Sequence, residues 1–278
     1  MWQKTFASGA MAVAAFALIA TASASDPIRT LTVDVQGPLK DPEAAFWADA
    51  PLTRVTMNPQ VVTLPRHADI AVNEMTVRAA HNGRWIGVLV EWRDEARQDM
   101  LHPDSFGDQV AIQFPVQSPA SPMMGNTGGL VNIIQWRAAF QRDLAEGQPT
   151  IRDLYPFALV DVYPDEVLNL TDARAYTGAI GVDNPVSRPF DSPVLDQVAE
   201  GWGSLTVKPV QQADGWGVWH DGTWRVAITR PMTRQNPGDP DLLPGSETVI
   251  AFAVWDGANN EVGARKSWSS WIPLRIGE

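Results

Sequence analysis

The side chains able to do chemistry are few in this chain, and they are scattered. It contains no cysteine, which excludes disulfides, thiolate-bound zinc, iron–sulfur ligation by its own residues and covalent CxxCH haem attachment. Any metal or cofactor must be held by other side chains. The four histidines, His67, His81, His102 and His220, stand singly. None has the i, i+4 spacing of a helical metal site, and each reads as a surface or turn histidine. Asp94-Glu95 or Asp161 could be drawn as an acid–base pair, but carboxylates in such numbers are as a rule solvated faces. No GxSxG elbow, HExxH pair, Walker-type glycine loop or dinucleotide fingerprint occurs.

Charge narrows the partners. Lys+Arg 21 against Asp+Glu 32 gives a formal charge of -11, which argues against non-specific binding to nucleic acid or anionic lipid. An acidic electron-transfer or protein-partner surface stays open. Only four lysines occur, Lys4, Lys40, Lys208 and Lys266, beside 12 tryptophans and 22 prolines. That balance suits an all-β protein better than a helical cytosolic one.

The elements that must position these residues are short. Residues 1–25 carry Lys4, then the apolar run Ala10 to Ala20, then small residues through Ser25. This is the pattern of a cleaved signal peptide, too short to span a bilayer comfortably, and it predicts an exported, periplasmic protein. Residues 26–278 read as one domain. Apolar or alternating runs bounded by turn residues predict strands at Thr30–Val35, Glu74–His81, Trp85–Trp92, Gln109–Phe114, Val131–Trp136, Gly203–Val207, Gly217–Val218, Thr223–Thr229 and Thr248–Trp255. Asn82-Gly83 predicts a hairpin with a type I′ turn, and His220-Asp221-Gly222 a second turn. Helix is expected only at Asp41–Asp49 and Ala138–Glu146. The stretch from Pro149 to Val198 is rich in Pro, Asp and Asn without periodicity and reads as a long, partner-facing loop excursion. The expected fold is an antiparallel β-sandwich with a few short helices.

Several separated segments then carry a resemblance: the strand ending Gln113-Phe114-Pro115, the loop Pro122-Met123-Met124-Gly125, the strand Val131 to Ala138 (VNIIQWRA), Gly201 to Pro209 (GWGSLTVKP) and Asp221 to Met232 (DGTWRVAITRPM). In this order they resemble the haem-binding gamma subunits of periplasmic type II molybdoenzymes of the dimethyl sulfoxide reductase family, such as those of dimethylsulfide dehydrogenase, ethylbenzene dehydrogenase, chlorate reductase and selenate reductase. The resemblance spans roughly Thr30 to Pro273. It implies a β-sandwich binding one non-covalent haem b through a methionine sulfur and a lysine amine. Carried over, the methionine is Met123 or Met124 and the lysine is Lys208 in the TVKP segment. It further implies a non-catalytic subunit joined to a molybdenum catalytic alpha subunit and an iron–sulfur beta subunit. Electrons would pass between the iron–sulfur chain and a soluble periplasmic cytochrome, with dimethylsulfide oxidation the preferred reaction.

The chemistry is compatible. A thioether and a neutral amine leave iron six-coordinate, with no open position for substrate. The amine must lose its proton, so the lysine should lie buried. Ordinary readings stand beside these: methionine fills core gaps, lysine is a solvated charge, tryptophan packs sandwich cores, and an arginine at a strand end is exposed. Trp136 is expected to pack round the porphyrin, with Trp202, Trp216, Trp219 and Trp224 as further candidates, and Arg137 to pair with a propionate. For Arg137 the exposed strand-end reading is the stronger. His220 is the alternative second ligand. A different class remains, a carbohydrate- or ligand-binding sandwich without haem in which exposed tryptophans stack on sugar rings.

Overall fold

The computed structural model describes residues 26–102, 104–149, 151–159 and 191–278. The expected signal peptide, Asp161 and most of the Pro149–Val198 excursion lie outside the described residues. In chain order the strands are β1 (Ile28–Thr32), β2 (Thr53–Thr56), β3 (Asn58–Pro59), β4 (Glu74–His81), β5 (Trp85–Arg93), β6 (Gln109–Pro115) and β7 (Val131–Arg137). They continue as β8 (Val194–Ala199), β9 (Thr206–Val207), β10 (Asp214–His220), β11 (Thr223–Pro231), β12 (Glu247–Trp255), β13 (Ser267–Trp268) and β14 (Ile272–Arg275).

These strands make one curled sheet whose order is β10-β11-β5-β4-β1-β14-β12-β6-β7-β8-β9. It folds over at β1, which pairs in parallel with β14 through Ile28 and Arg29, then with β4 through Thr30 to Thr32. Every other ladder among the described residues is antiparallel, as short connections between neighbouring strands require. Two layers result. Alternate residues of each turn inward and form the main core: Val77, Val88 and Val90 from one layer meet Val110, Ile112, Phe114 and Ile134 from the other. The all-β sandwich expected from the sequence is therefore the fold, with helix limited to short pieces such as α1 (Ala138–Glu146).

Local differences have local causes. Helix at Asp41–Asp49 shrinks to a 3-10 turn, Ala45–Ala48, because Asp41 accepts the Glu43 N–H and the Trp47 indole N–H and holds the chain in a turn. Left-handed backbone occurs at Gly83 but not at Asn82, whose Oδ1 instead accepts the N–H groups of Arg84 and Trp85. The I′ geometry expected there is found at Asp221-Gly222, with φ of 47° and 72°. Strands β2, β3, β8, β13 and β14 arise where none was expected.

Candidate cofactor-binding cavity

A cavity of about 540 Å³ opens on the outer face of the second layer, within the range of small-molecule sites. Period-2 alternation decides its floor. Val110, Ile112, Phe114, Ile134 and Trp136 point into the sandwich, so Ala111, Gln113, Ile133, Gln135 and Arg137 must point outward. Strand β12 adds Ala251 and Ala253, and the register sets Ala111 opposite Ala253 and Gln113 opposite Ala251. Three alanines at the centre of the sheet leave a flat, apolar platform. Glutamines border it: Gln135 donates to Gln109 at 2.7 Å and accepts from Gln197 at 3.1 Å and from Arg137 at 3.2 Å.

Walls rise on every side from loops. Met123 and Met124 both line the cavity, on a loop held by Gln113 Nε2, which donates to the carbonyls of Ser121 and Pro122. Met124 has φ of 65°, a conformation most side chains avoid and one that is kept only where surrounding structure enforces it. Trp202 and Leu205 add a second wall, and His102 with Phe106 a third. The last is the segment running into β13, which brings Lys266 into the cavity. Its Nζ stands 5.1 Å from the centroid of the Trp255 ring, and it makes no ion pair among the described residues. Burial lowers its ammonium from the usual lysine range to about 8.

Lys208 is elsewhere. Its side chain is 4% exposed, it does not line the cavity, and its Nζ donates to Asp196 Oδ2 at 2.8 Å and to Asp239 Oδ1. Arg230 reaches Asp239 as well, at 3.2 Å. Burial alone would raise the Asp239 carboxyl, yet the hydrogen bonds from Lys208 and the Asn236 N–H and the charge of Arg230 bring it down to about 2. An amine that gives its protons to two buried carboxylates has no lone pair to offer a metal. Lys208, the lysine of the TVKP segment, thus lies outside the cavity, and the lysine that lines it together with Met123 and Met124 is Lys266.

Trp136 lies outside the cavity too. It is 0% exposed on the inward face of β7, in edge contact with Trp224 at 4.9 Å and Trp92 at 6.5 Å, and its indole donates to Gln141. Of the five tryptophans expected near a ligand, Trp202 alone lines the cavity. His220 sits in a turn beside Asp221 with its side chain 81% exposed, away from the cavity. His102, read as a surface histidine, is at the cavity wall, packed edge-on to Tyr155. Arg137 does line the cavity, stacked 5.0 Å from the Phe140 ring, with its buried Nε lacking a hydrogen-bond partner. Burial lowers its guanidinium below the usual range. An orphaned, desolvated donor of this kind calls for an anion.

The donor set therefore fits a haem: an apolar platform, thioethers and an amine on separate loops, the amine without an ion pair among the described residues, and a cationic fork whose Nε is buried. The ethylbenzene dehydrogenase family model matches residues 44–150 and 205–267, a span that includes both methionines, Arg137 and Lys266, and the chain belongs to that family. This is the family of molybdoenzyme gamma subunits that the sequence motifs resemble. The chain is 26% identical over 279 residues to the chlorate reductase subunit gamma of Ideonella dechloratans, covering 97% of this chain and 93% of that one. It is 22% identical over 260 residues to a Haloferax mediterranei protein carrying the name respiratory nitrate reductase heme subunit, covering 92% and 75%. Among solved structures, a family 9 carbohydrate-binding module from Caldicellulosiruptor kristjanssonii in complex with glucose superposes with a TM-score of 0.43 at 10% identity, covering 91% of this chain and 96% of that one.

Proposed function

We propose that this chain is the electron-transfer haem subunit of an oxidoreductase complex, holding one non-covalent haem b on the Ala111-Ala251-Ala253 platform. One observation carries it: the cavity places Met123 and Met124 on one loop and an unpaired, easily deprotonated Lys266 on another. A bound haem supplies reversible one-electron chemistry. The residues do the rest. One of the two thioethers and the Lys266 amine would hold the iron, leaving substrate and oxygen no place to bind it. Arg137, whose buried Nε has no hydrogen-bond partner among the described residues, would pair with a propionate and orient that end of the group. The alanines and Ile133 keep water from the platform, so desolvation favours the neutral amine.

With no open coordination position, turnover belongs to other chains. We assign those partners as a molybdenum catalytic subunit and an iron–sulfur subunit, with a soluble cytochrome as the second electron partner, all in the periplasm. The relatives' names, a reductase gamma subunit and a reductase heme subunit, support the assignment. Trp202 and Leu205, 45% and 43% exposed at the cavity wall, offer an apolar surface beside the haem on which a partner can dock. The subunit plan is that of a dimethylsulfide dehydrogenase, and the substrate is chosen by the catalytic chain. The test is the native protein: a Soret band of a low-spin, six-coordinate haem in both oxidation states, extractable by acid acetone, eluting from size exclusion with molybdenum. A colourless protein that takes up no haem overturns the reading. Haem eluting only at or below the 30.4 kDa of the chain overturns the subunit assignment.

A further inference from the structure

Three carboxylates outside the cavity converge at one end of the sandwich. Asp94 follows β5 in the first layer; Asp108 precedes β6 and Asp256 follows β12 in the second. One oxygen from each lies within 4.8 Å of the other two. Asp94 is 2% exposed and Asp108 0%. Among the described residues no lysine, arginine or histidine pairs with any of them, in contrast to the Asp196 and Asp239 carboxylates, which are matched by Lys208 and Arg230. Backbone and indole N–H groups fix two of the carboxylates in place. Asp108 accepts from Gln98 at 2.7 Å, Gly257 at 2.9 Å and Trp224 at 2.9 Å, and Asp256 accepts from Asn259 at 3.1 Å. Asp94 Oδ1 accepts from Ala96, but its Oδ2 is fully buried among its neighbours without a hydrogen-bond partner.

We propose that Asp94, Asp108 and Asp256 bind a calcium ion, and that this ion ties the two layers together at one end of the sandwich. The geometry is that of a single ion: oxygens about 2.4 Å from a shared calcium stand no more than about 4.8 Å apart. The donor set is all oxygen, which selects a hard cation, and three anionic charges from three separate segments suit the larger, geometrically tolerant calcium over octahedral magnesium. Desolvated carboxylates without a counter-ion are among the costliest arrangements a core can hold. A divalent cation removes that cost and gives the orphaned Asp94 oxygen its partner. Gly257 is part of the construction: a Cβ there would stand 2.0 Å from the Phe106 carbonyl oxygen, so only glycine lets the two loops approach closely enough.

The position gives the ion a consequence for the cavity. The segment between Asp94 and Asp108 carries Leu101, His102 and Phe106, and the segment after Asp256 carries Gly263 and Lys266. One ion thus anchors the roots of two cavity walls. The proposal stands whether or not the cavity holds haem, and its test does not depend on haem.

Calcium chloride is titrated into the chelator-treated, full-length protein by isothermal calorimetry, with melting temperature followed in parallel. The expected result is one site per chain, with magnesium weaker by at least tenfold. Above the dissociation constant each hundredfold rise in free calcium should lift the melting temperature by roughly 5–10 °C. Asp94→Asn and Asp108→Asn should abolish both signals. Asp94→Asn relieves charge repulsion and keeps an Oδ1 acceptor for the Ala96 N–H, so it folds in chelator and separates loss of the site from loss of the fold. A wild-type melting temperature indifferent to calcium and chelator overturns the proposal. So does magnesium binding as tightly as calcium, or a calcium response that survives both substitutions.

Discussion

Substituting Lys266 and Lys208 in turn separates ligation from stability. Lys266→Leu removes the amine that lines the cavity with the methionines and should leave haem five-coordinate and high-spin, or lost, while stabilising the haem-free fold at pH 7, where the desolvated ammonium is a cost. The amine is suited to the task by its surroundings. With an ammonium at about 8 rather than 10.5, deprotonation at pH 7 costs about 1.4 kcal/mol instead of about 5 kcal/mol. Lys208→Met should do the reverse. Lys208 and Arg230 balance Asp196 and Asp239, so the buried cluster is neutral, and the substitution leaves one uncompensated charge among groups no more than 4% exposed. Breaking such a pair costs about 3–5 kcal/mol, or roughly 10 °C in melting temperature for a chain of this size. Adding Asp196→Asn restores neutrality and should recover much of that loss. Electronic absorption and electron paramagnetic resonance report the ligation, and thermal unfolding reports the cluster. A high-spin Lys208→Met protein beside a spectrally unchanged Lys266→Leu protein would falsify the assignment of the axial amine.

Met123→Ala and Met124→Ala, made singly, should differ in kind: one becomes high-spin or haem-poor, the other loses packing alone, and two unchanged spectra would remove the methionines from the site. Haem uptake by the haem-free protein should strengthen about tenfold per pH unit from pH 6 to about 8 and then level off, because the neutral amine is the binding form; Lys266→Leu should flatten this profile. In that same haem-free protein the folded ammonium is depressed, so between pH 8 and 10.5 the unfolded chain binds more protons and Lys266 makes stability rise with pH, which urea unfolding at pH 8 and 10 checks. Arg137→Gln should weaken haem binding by roughly 10- to 100-fold, the worth of a charge-assisted hydrogen bond, without changing the spin state; an unaltered affinity would return Arg137 to a packing role.

The fold was legible where burial wrote a plain pattern. Strands β4 to β7 and β11 to β12 alternate or run apolar and are bounded by turn residues, so their sequence spans agree with the structure to within two residues. Strand β8 was hidden because Asp196 and Gln197 interrupt its apolar run, and their burial makes sense only once Lys208 and Gln135 arrive from distant segments. The same distance hid the counter-cluster. Nothing near Thr206-Val207-Lys208 in sequence announces Asp239, so a lysine with apolar neighbours looked like a ligand when it was a partner in an ion pair.

What distinguishes Lys266 from Lys208 is that, among the described residues, no carboxylate pairs with it. Sequence shows where an ammonium can be buried, but an amine is free to ligate only if no carboxylate meets it, and that depends on every strand packed around it. Asp196 and Asp239 come from β8 and the segment after β11, 12 and 31 residues from Lys208 in sequence. The opposite imbalance holds at Asp94, Asp108 and Asp256, where three carboxyl groups meet with no cationic side chain among the described residues and burial raises Asp94 to about 6 and Asp108 to about 7. One cavity wall therefore ends in a base seeking a metal, and its root lies in a cluster of carboxylates seeking another. If calcium occupies the second, it holds the loop that presents Lys266, and chelation should speed haem loss from wild type while leaving Asp94→Asn, already without the ion, unaffected. Equal rates of haem loss from wild type with and without chelator would separate the two sites and leave the cation a purely structural part at the end of the sandwich.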